Sequence, residues 1–313
     1  MKSTNLSMLL RKPLLPLLRA IDDIVFVRLF NVWESIGFHI TRNHFHEPIP
    51  DTRTLPDELW IRHSELVGVD MNEDTQLEFL HKFSVNFKKE YDMISTRRPV
   101  AGQYYANNPS FGYVDGDVLY CMVRHFKPKR MIEIGAGYST YLSAEAILRN
   151  EEEGGHRAEL IAIDPYPNET LKQGFPGLAK LITSEVERVE LAEFTKLREN
   201  DILFIDSSHV LRIGNDVQYE YLEILPRLNK GVIVHIHDIF LPWEYPEDWV
   251  LKNHWFWNEQ YLLQAFLAFN NAFEVLWAAQ YMHLRHAEKL EEAFGNYYRR
   301  HGAGGSFWIR KKA

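Results

Sequence analysis

The stretch EIGAGYSTYL, residues 133–142, ends an apolar run, passes through Gly135 and Gly137, and enters a segment with helical spacing. Strand, glycine turn and helix in that order form the unit with which an α/β sheet seats a nucleotide-like ligand at the carboxyl end of a strand. Glycine there lets the backbone turn sharply and approach a ligand with no side chain between them. A dinucleotide fingerprint would carry a third glycine near residue 140 for close helix packing. Thr140 stands at that position and Tyr138 fills the turn, which weakens the pyrophosphate reading.

Outward from this stretch, short apolar runs alternate with helical segments. RMIEIG (130–135), ELIAID (159–164), KLITSEV (180–186), DILFID (201–206) and GVIVHIHD (231–238) predict strands, with helices such as YSTYLSAEAILRN (138–150) and DVQYEYLEILPRL (216–228) between most of them. Strands joined by crossover helices imply a parallel sheet covered on both faces. FEVLWAAQYM (273–282) and GSFWIRKK (305–312) predict two further strands, separated by a charged helix over 286–300. A helix carrying Leu119, Met122, Val123 and Phe126 precedes the first strand and stops at Pro128.

Upstream the pattern is helical and irregular. EPIPDTRTLP (47–56) reads as a connector, and Leu77, Leu80, Phe83 and Phe87 form a core-facing stripe behind the capping candidate Asn72. The expected division is a helical region over 1–112, serving as a cap or a self-association surface, and a catalytic domain over 113–313.

The acids near the turn narrow the ligand. Glu133 precedes the glycines as Glu-x-Gly-x-Gly, and Asp164 ends the second strand. A carboxylate there accepts two hydrogen bonds from a ribose diol, and Glu133 suits a ligand bearing positive charge. S-adenosylmethionine carries a ribose, an ammonium and a sulfonium. The plainer reading of Asp164 is a helix cap or turn former before Pro165. With EIGAGYST as glycine motif and AIDP as acidic second strand, residues 113–313 resemble the class I S-adenosylmethionine-dependent methyltransferases. The resemblance implies a Rossmann-like, mostly parallel seven-stranded sheet whose last strand inserts antiparallel. It also implies cofactor contacts at Glu133 (the amino group), the turn Gly135, Ala136, Gly137 and Tyr138 (the methionine part), Asp164 (the ribose) and Ser184 or Glu185 (adenine), with Asp206 alongside.

A second constellation lies at later strand ends. FIDSSH places Asp206 and His209 after the fourth strand, and HIHDIF places His237 and Asp238 at the end of the fifth. His235 shares a face with His237 and reads as a sheet-packing residue. The same strand ends supply magnesium ligands in the catechol-type and macrocin-type O-methyltransferases, to which the chain is similar at these positions. His237 stands where the catechol type has an aspartate, which favours manganese, iron or zinc over magnesium. Three readings stay open: a divalent ion on Asp206, His237 and Asp238; a metal-free base, His237 or His209, oriented by an aspartate; or groups that only satisfy one another. The expected activity is O-methylation of a small-molecule acceptor. The alternatives are a metal-dependent hydroxylase or other non-methylating enzyme on this sheet, and a non-catalytic binding protein.

The aromatic segment 241–266 reads as a lid or pocket wall over the acceptor, or as a loop packing on the amino-terminal region. His44 and His46 read as ordinary loop residues. A formal charge of -8 argues against a nucleic-acid partner. The single cysteine, Cys121, excludes a disulfide framework or thiolate cluster and fits a reducing cytoplasm. The amino terminus falls short of the ~20 apolar residues of a membrane span. It reads as a packing helix, or as a peripheral membrane helix through Arg11, Lys12, Arg19 and Arg28, opposed by Asp22 and Asp23.

Overall fold

The apolar runs flanking the glycine turn form strands because each is buried on both faces, which demands a parallel sheet under two helical layers. The computed structural model describes residues 21–97, 100–299 and 302–313. Strands β1 (Arg130–Ile134), β2 (Glu159–Ile163), β3 (Leu178–Ile182), β4 (Ile202–Ile205) and β5 (Ile233–Ile236) run parallel; β6 (Phe273–Ala278) and β7 (Phe307–Lys311) complete the sheet. The order is β3-β2-β1-β4-β5-β7-β6, and β7 is antiparallel to both neighbours, as expected. The order in which strands are added reverses between β1 and β4, the point at which such sheets open a crevice.

Period-two alternation sorts the strand side chains into two cores. Met131, Leu160, Phe204 and Ile233 face one layer; Ile132, Ile161, Leu203 and Val234 face the other. The first layer holds α1 (Glu73–Asn86), α2 (Tyr113–Phe126) and α3 (Tyr138–Glu152). After β5 come α4 (Glu259–Leu267) and α5 (Ala279–Ala293).

Several boundaries differ from expectation. β3 ends at Ile182, and Val186–Arg188 form a 3-10 turn, so Ser184 leaves the sheet for the rim. The run expected as one strand over 273–282 is β6 followed directly by the first turn of α5. Ala279 and Met282 are as buried as the strand, so hydrophobicity alone does not separate the two. Asn72 does not cap α1: it is left-handed (φ 50°) and its amide donates to Val275 O at 3.0 Å, tying the helix start to β6. The helix over 216–227 carries a π-type segment, Glu220–Ile224, with Glu220 and Tyr221 buried.

The chain divides into two compact units at Asp57/Glu58, so residue 112 lies inside the second. The first has no buried residue among those described. In it Asp23 pairs with Arg28 at 2.6 Å, and Asp22 with Arg42 at 2.7 Å. Arg11, Lys12 and Arg19, on which the peripheral-membrane expectation leaned, lie outside the described residues. Among the described residues no helix is long and apolar enough to cross a membrane.

Candidate active site

A cleft of about 400 Å³ opens over the tips of β1, β2 and β4, lined by Gly135, Asp164, Ser184, Asp206 and Ser207 among others. Gly135 is required by the protein itself: its φ is +80°, and a Cβ would stand 1.8 Å from the carbonyl oxygen of Asp206. This close approach sets the end of β4 beside the turn after β1. Asp164 accepts the N–H of Ala136 at 3.0 Å and of Tyr166 at 2.6 Å. It is thus the turn former anticipated before Pro165 and also part of the cleft wall. Each of its oxygens retains lone-pair capacity for a further donor.

Not every residue expected at the cofactor gathers in this cleft. Glu133 is fully buried beneath the turn, and its carboxylate accepts from Ser139 Oγ at 2.5 Å. Burial pushes it up to about 8 against the hydrogen bonds from Ser139 and Thr140. Gly137 and Tyr138 line a neighbouring cavity of about 310 Å³ with Gly102, Tyr105, Tyr141 and Asn168. A Cβ on Gly137 would meet nothing within 4 Å, so no protein atom accounts for glycine there.

The ends of β4 and β5 bring the second constellation together. Asp206 Oδ1 lies 3.2 Å from His209 Nε2 and 3.4 Å from His237 Nδ1. Asp238 Oδ2 lies 3.6 Å from each of the same nitrogens. Two of the four residues are left-handed, His209 at φ 59° and Asp238 at φ 54°, a costly conformation for non-glycine residues that is held where surrounding structure over-determines it. Among the described residues, Asp206, His209 and Asp238 each offer a ligand atom within 4.8 Å of the others. His209, expected as a base, therefore stands as close to both carboxylates as His237, expected as a ligand.

The electrostatics follow from this crowding. Burial opposes charge on His209, but hydrogen bonds to Asp206 and Glu259 outweigh it and raise its pKa to about 10. His237 is likewise driven well above the usual imidazole range: burial is overcome by Asp238 and Asp206. Burial alone would raise Asp206, yet the two imidazoles hold it below the usual carboxylate range. His235 behaves as a packing residue: burial drives it well below its usual value, it stacks on Phe204 at 4.0 Å, and it meets Ser306 Oγ at 3.1 Å.

Sequence reading assigned no role to Glu259, Asp115 or Phe111, whereas Trp257 lies in the segment expected as a lid or pocket wall. Glu259, on α4, reaches His209 Nδ1 at 3.0 Å, and Asp115, on α2, reaches His237 Nε2 at 3.5 Å. Trp257 lies 4.4 Å from the His209 ring and Phe111 lies 4.8 Å from that of His237. Within the aromatic segment, Trp257 is the ring that touches the cluster; Trp243 instead lies edge-on to His63 at 5.3 Å. The available signal was weak: Asp115 is an acid one turn before the apolar positions of its helix.

Residues 132–239 match the family model described as a methyltransferase domain. An uncharacterized protein of Archaeoglobus fulgidus is 28% identical over 194 residues, covering 59% of this chain and 86% of that one. Among solved structures, one assigned as a protein-L-isoaspartate O-methyltransferase of Plasmodium falciparum in complex with S-adenosyl-L-homocysteine superposes with a TM-score of 0.29 at 18% identity, covering 51% of this chain and 76% of that one. The apo structure of CmcI-N160 gives 0.33 at 13% identity, over 64% and 71%. At those scores neither superposition supports an inference about this chain.

Proposed function

We propose, from the premise that this chain is a class I S-adenosylmethionine-dependent methyltransferase, that it methylates an oxygen of a small-molecule acceptor and that Asp206, His209, His237 and Asp238 hold a divalent ion beside the cofactor. The observation that carries the reading is the double membership of Asp206. It lines the cleft that also contains Asp164, and it lies 3.2 and 3.4 Å from the two histidines. A methyl donor in the cleft and an acceptor at the cluster would be neighbours.

In this reading Asp164 accepts hydrogen bonds from the ribose diol, Ser184 borders adenine, and the Gly135 to Tyr138 turn runs beside the methionine part. Trp257 and Phe111 exclude water from the two rings. Methyl transfer is an in-line displacement: the acceptor oxygen, its hydroxyl proton released to solvent, forms the new C–O bond as the C–S bond breaks and its electron pair goes to sulfur, leaving S-adenosylhomocysteine. Alignment of the two reactants supplies up to ~7 to 11 kcal/mol of the barrier reduction. Two imidazole nitrogens, each within 3.6 Å of the same two carboxylate oxygens, fit a divalent ion, and the imidazoles favour manganese, iron or zinc over magnesium. When bound, such an ion lowers the pKa of an acceptor hydroxyl. A reducing, cytoplasmic setting belongs to the same reading, with the Cys121 thiol free and buried.

A second reading makes His209 a general base oriented by Glu259, and the 3.0 Å contact favours it. Its high pKa counts against it, because the ring by itself keeps its proton at neutral pH. Incubating the protein with methyl-labelled cofactor and a small-molecule extract, with and without chelator, separates the two. Labelling lost to chelator and restored by one divalent ion is the expected result. Labelling indifferent to chelator removes the ion, and no labelling of any acceptor removes the acceptor class.

A further inference from the structure

Each imidazole of the cluster turns one nitrogen toward Asp206 and Asp238 and the other into the protein. For His209 the inner atom is Nε2; its Nδ1 meets Oε2 of Glu259 at 3.0 Å. For His237 the inner atom is Nδ1; its Nε2 lies 3.5 Å from Oδ2 of Asp115, a contact longer than a closed hydrogen bond. Both outer carboxylates are buried, Glu259 at 0% exposure and Asp115 at 7%. Asp115 is itself fixed, accepting the N–H of Gly305 at 3.1 Å and of Ser306 at 2.9 Å. A neutral imidazole carries its proton on one nitrogen, and a carboxylate, which only accepts, draws that proton to its own side. The nitrogen left bare then points at the centre. Trp257 on one ring and Phe111 on the other restrict the rotation that would exchange the two nitrogens.

We propose that Glu259 and Asp115 are positioning residues that hold the two histidines in opposite tautomers, Nδ1–H for His209 and Nε2–H for His237, so that both rings aim a lone pair into the space between Asp206 and Asp238. The inference rests on the reading of that space as an ion site and deepens it. Neither residue lies within 132–239, so the orientation of the donors is supplied by elements outside the matched domain. Asp115 comes from the helix before β1 and Glu259 from the start of α4, within the aromatic segment.

The test uses the full chain labelled with 15N-histidine and loaded with Zn2+. Long-range 1H–15N spectra should assign Nδ1–H to His209 and Nε2–H to His237; the reverse pattern on either ring overturns the proposal. Because Asp115 also accepts two backbone N–H groups, Glu259→Met is the decisive variant, with Asp115→Asn beside it. Glu259→Met should weaken Mn2+ binding about 10- to 100-fold while leaving the unfolding midpoint and S-adenosylhomocysteine affinity in place. Wild-type Mn2+ affinity in that variant would overturn the assignment. If the unaltered protein binds neither Mn2+ nor Zn2+, the ion reading fails separately, and the ring contacts are read in the ion-free protein. There the His209 Nδ1–H proton should be protected from exchange and lost in Glu259→Met; an unprotected proton in the parent protein sinks the proposal.

Discussion

At the scale of single residues, the candidate site depends on where carboxylates stand and what they face. Asp164→Ala removes the acceptor expected to bind the ribose diol. Hydrogen bonds to a charged group contribute about 1.5 to 3 kcal/mol each, so calorimetry should show cofactor affinity falling at least about tenfold; an unchanged affinity would mean the cofactor lies elsewhere. Asp117 gives a pH signature remote from the chemistry. It is 2% exposed on α2, its Oδ2 has no partner among the described residues, and burial raises its pKa to about 8. Between about pH 4 and 8 the folded protein holds this proton and the unfolded chain has lost it. Its contribution therefore makes stability fall as pH rises through that window. Asp117→Asn should flatten the fall and unfold later than the parent protein at pH 8 to 9; superimposable midpoint-against-pH curves would contradict the assignment. Asp164, Asp206, His237 and Asp238 were legible in the sequence because each directly follows an apolar strand run, and strand tips are where this sheet puts its chemistry. Glu259 and Asp115 were not, because their partners come close only through the folded sheet.

At the scale of elements, the turn after β1 and the tip of β4 are held in mutual contact by the missing side chain of Gly135. Gly135→Ala would place a methyl 1.8 Å from a backbone oxygen and put alanine at φ +80°. The combined strain should cost more than about 2 kcal/mol, read as a lower denaturation midpoint. A variant as stable as the parent would show that the two tips are not so closely apposed. Gly137→Ala meets no protein atom and should keep the midpoint while weakening cofactor binding. The elements themselves were largely readable: all seven strands fall within or overlap the runs that predicted them. What failed was punctuation. β3 begins two residues early at Leu178, and the run from Phe273 onward changes from strand to helix with no polar break. In the second case burial on both faces erases the alternation that would mark such an end; β3 has no fully buried residue, so that cause does not apply to its early start.

At the scale of the whole molecule, among the described residues the two apolar clusters that hold the sheet contain none before Leu66. Residues 58–313 alone should thus unfold at the same midpoint and bind cofactor as the longer chain does. A lowered midpoint on truncation would show that the first unit stabilises the second. The role of that first unit was not legible, because its apolar residues alternate with charges that pair locally, Asp23 with Arg28 and Asp22 with Arg42.

The insertion of β7 between β5 and β6 also has a consequence in time. Gly305 and Ser306, just ahead of this final strand, grip Asp115, and Gly305 O receives the N–H of Ile239 at 2.9 Å. A ribosome translating this message releases every histidine and aspartate of the cluster long before it releases the strand that braces them. The growing polypeptide consequently carries a gap in mid-sheet until residues 305–311 emerge and slot in.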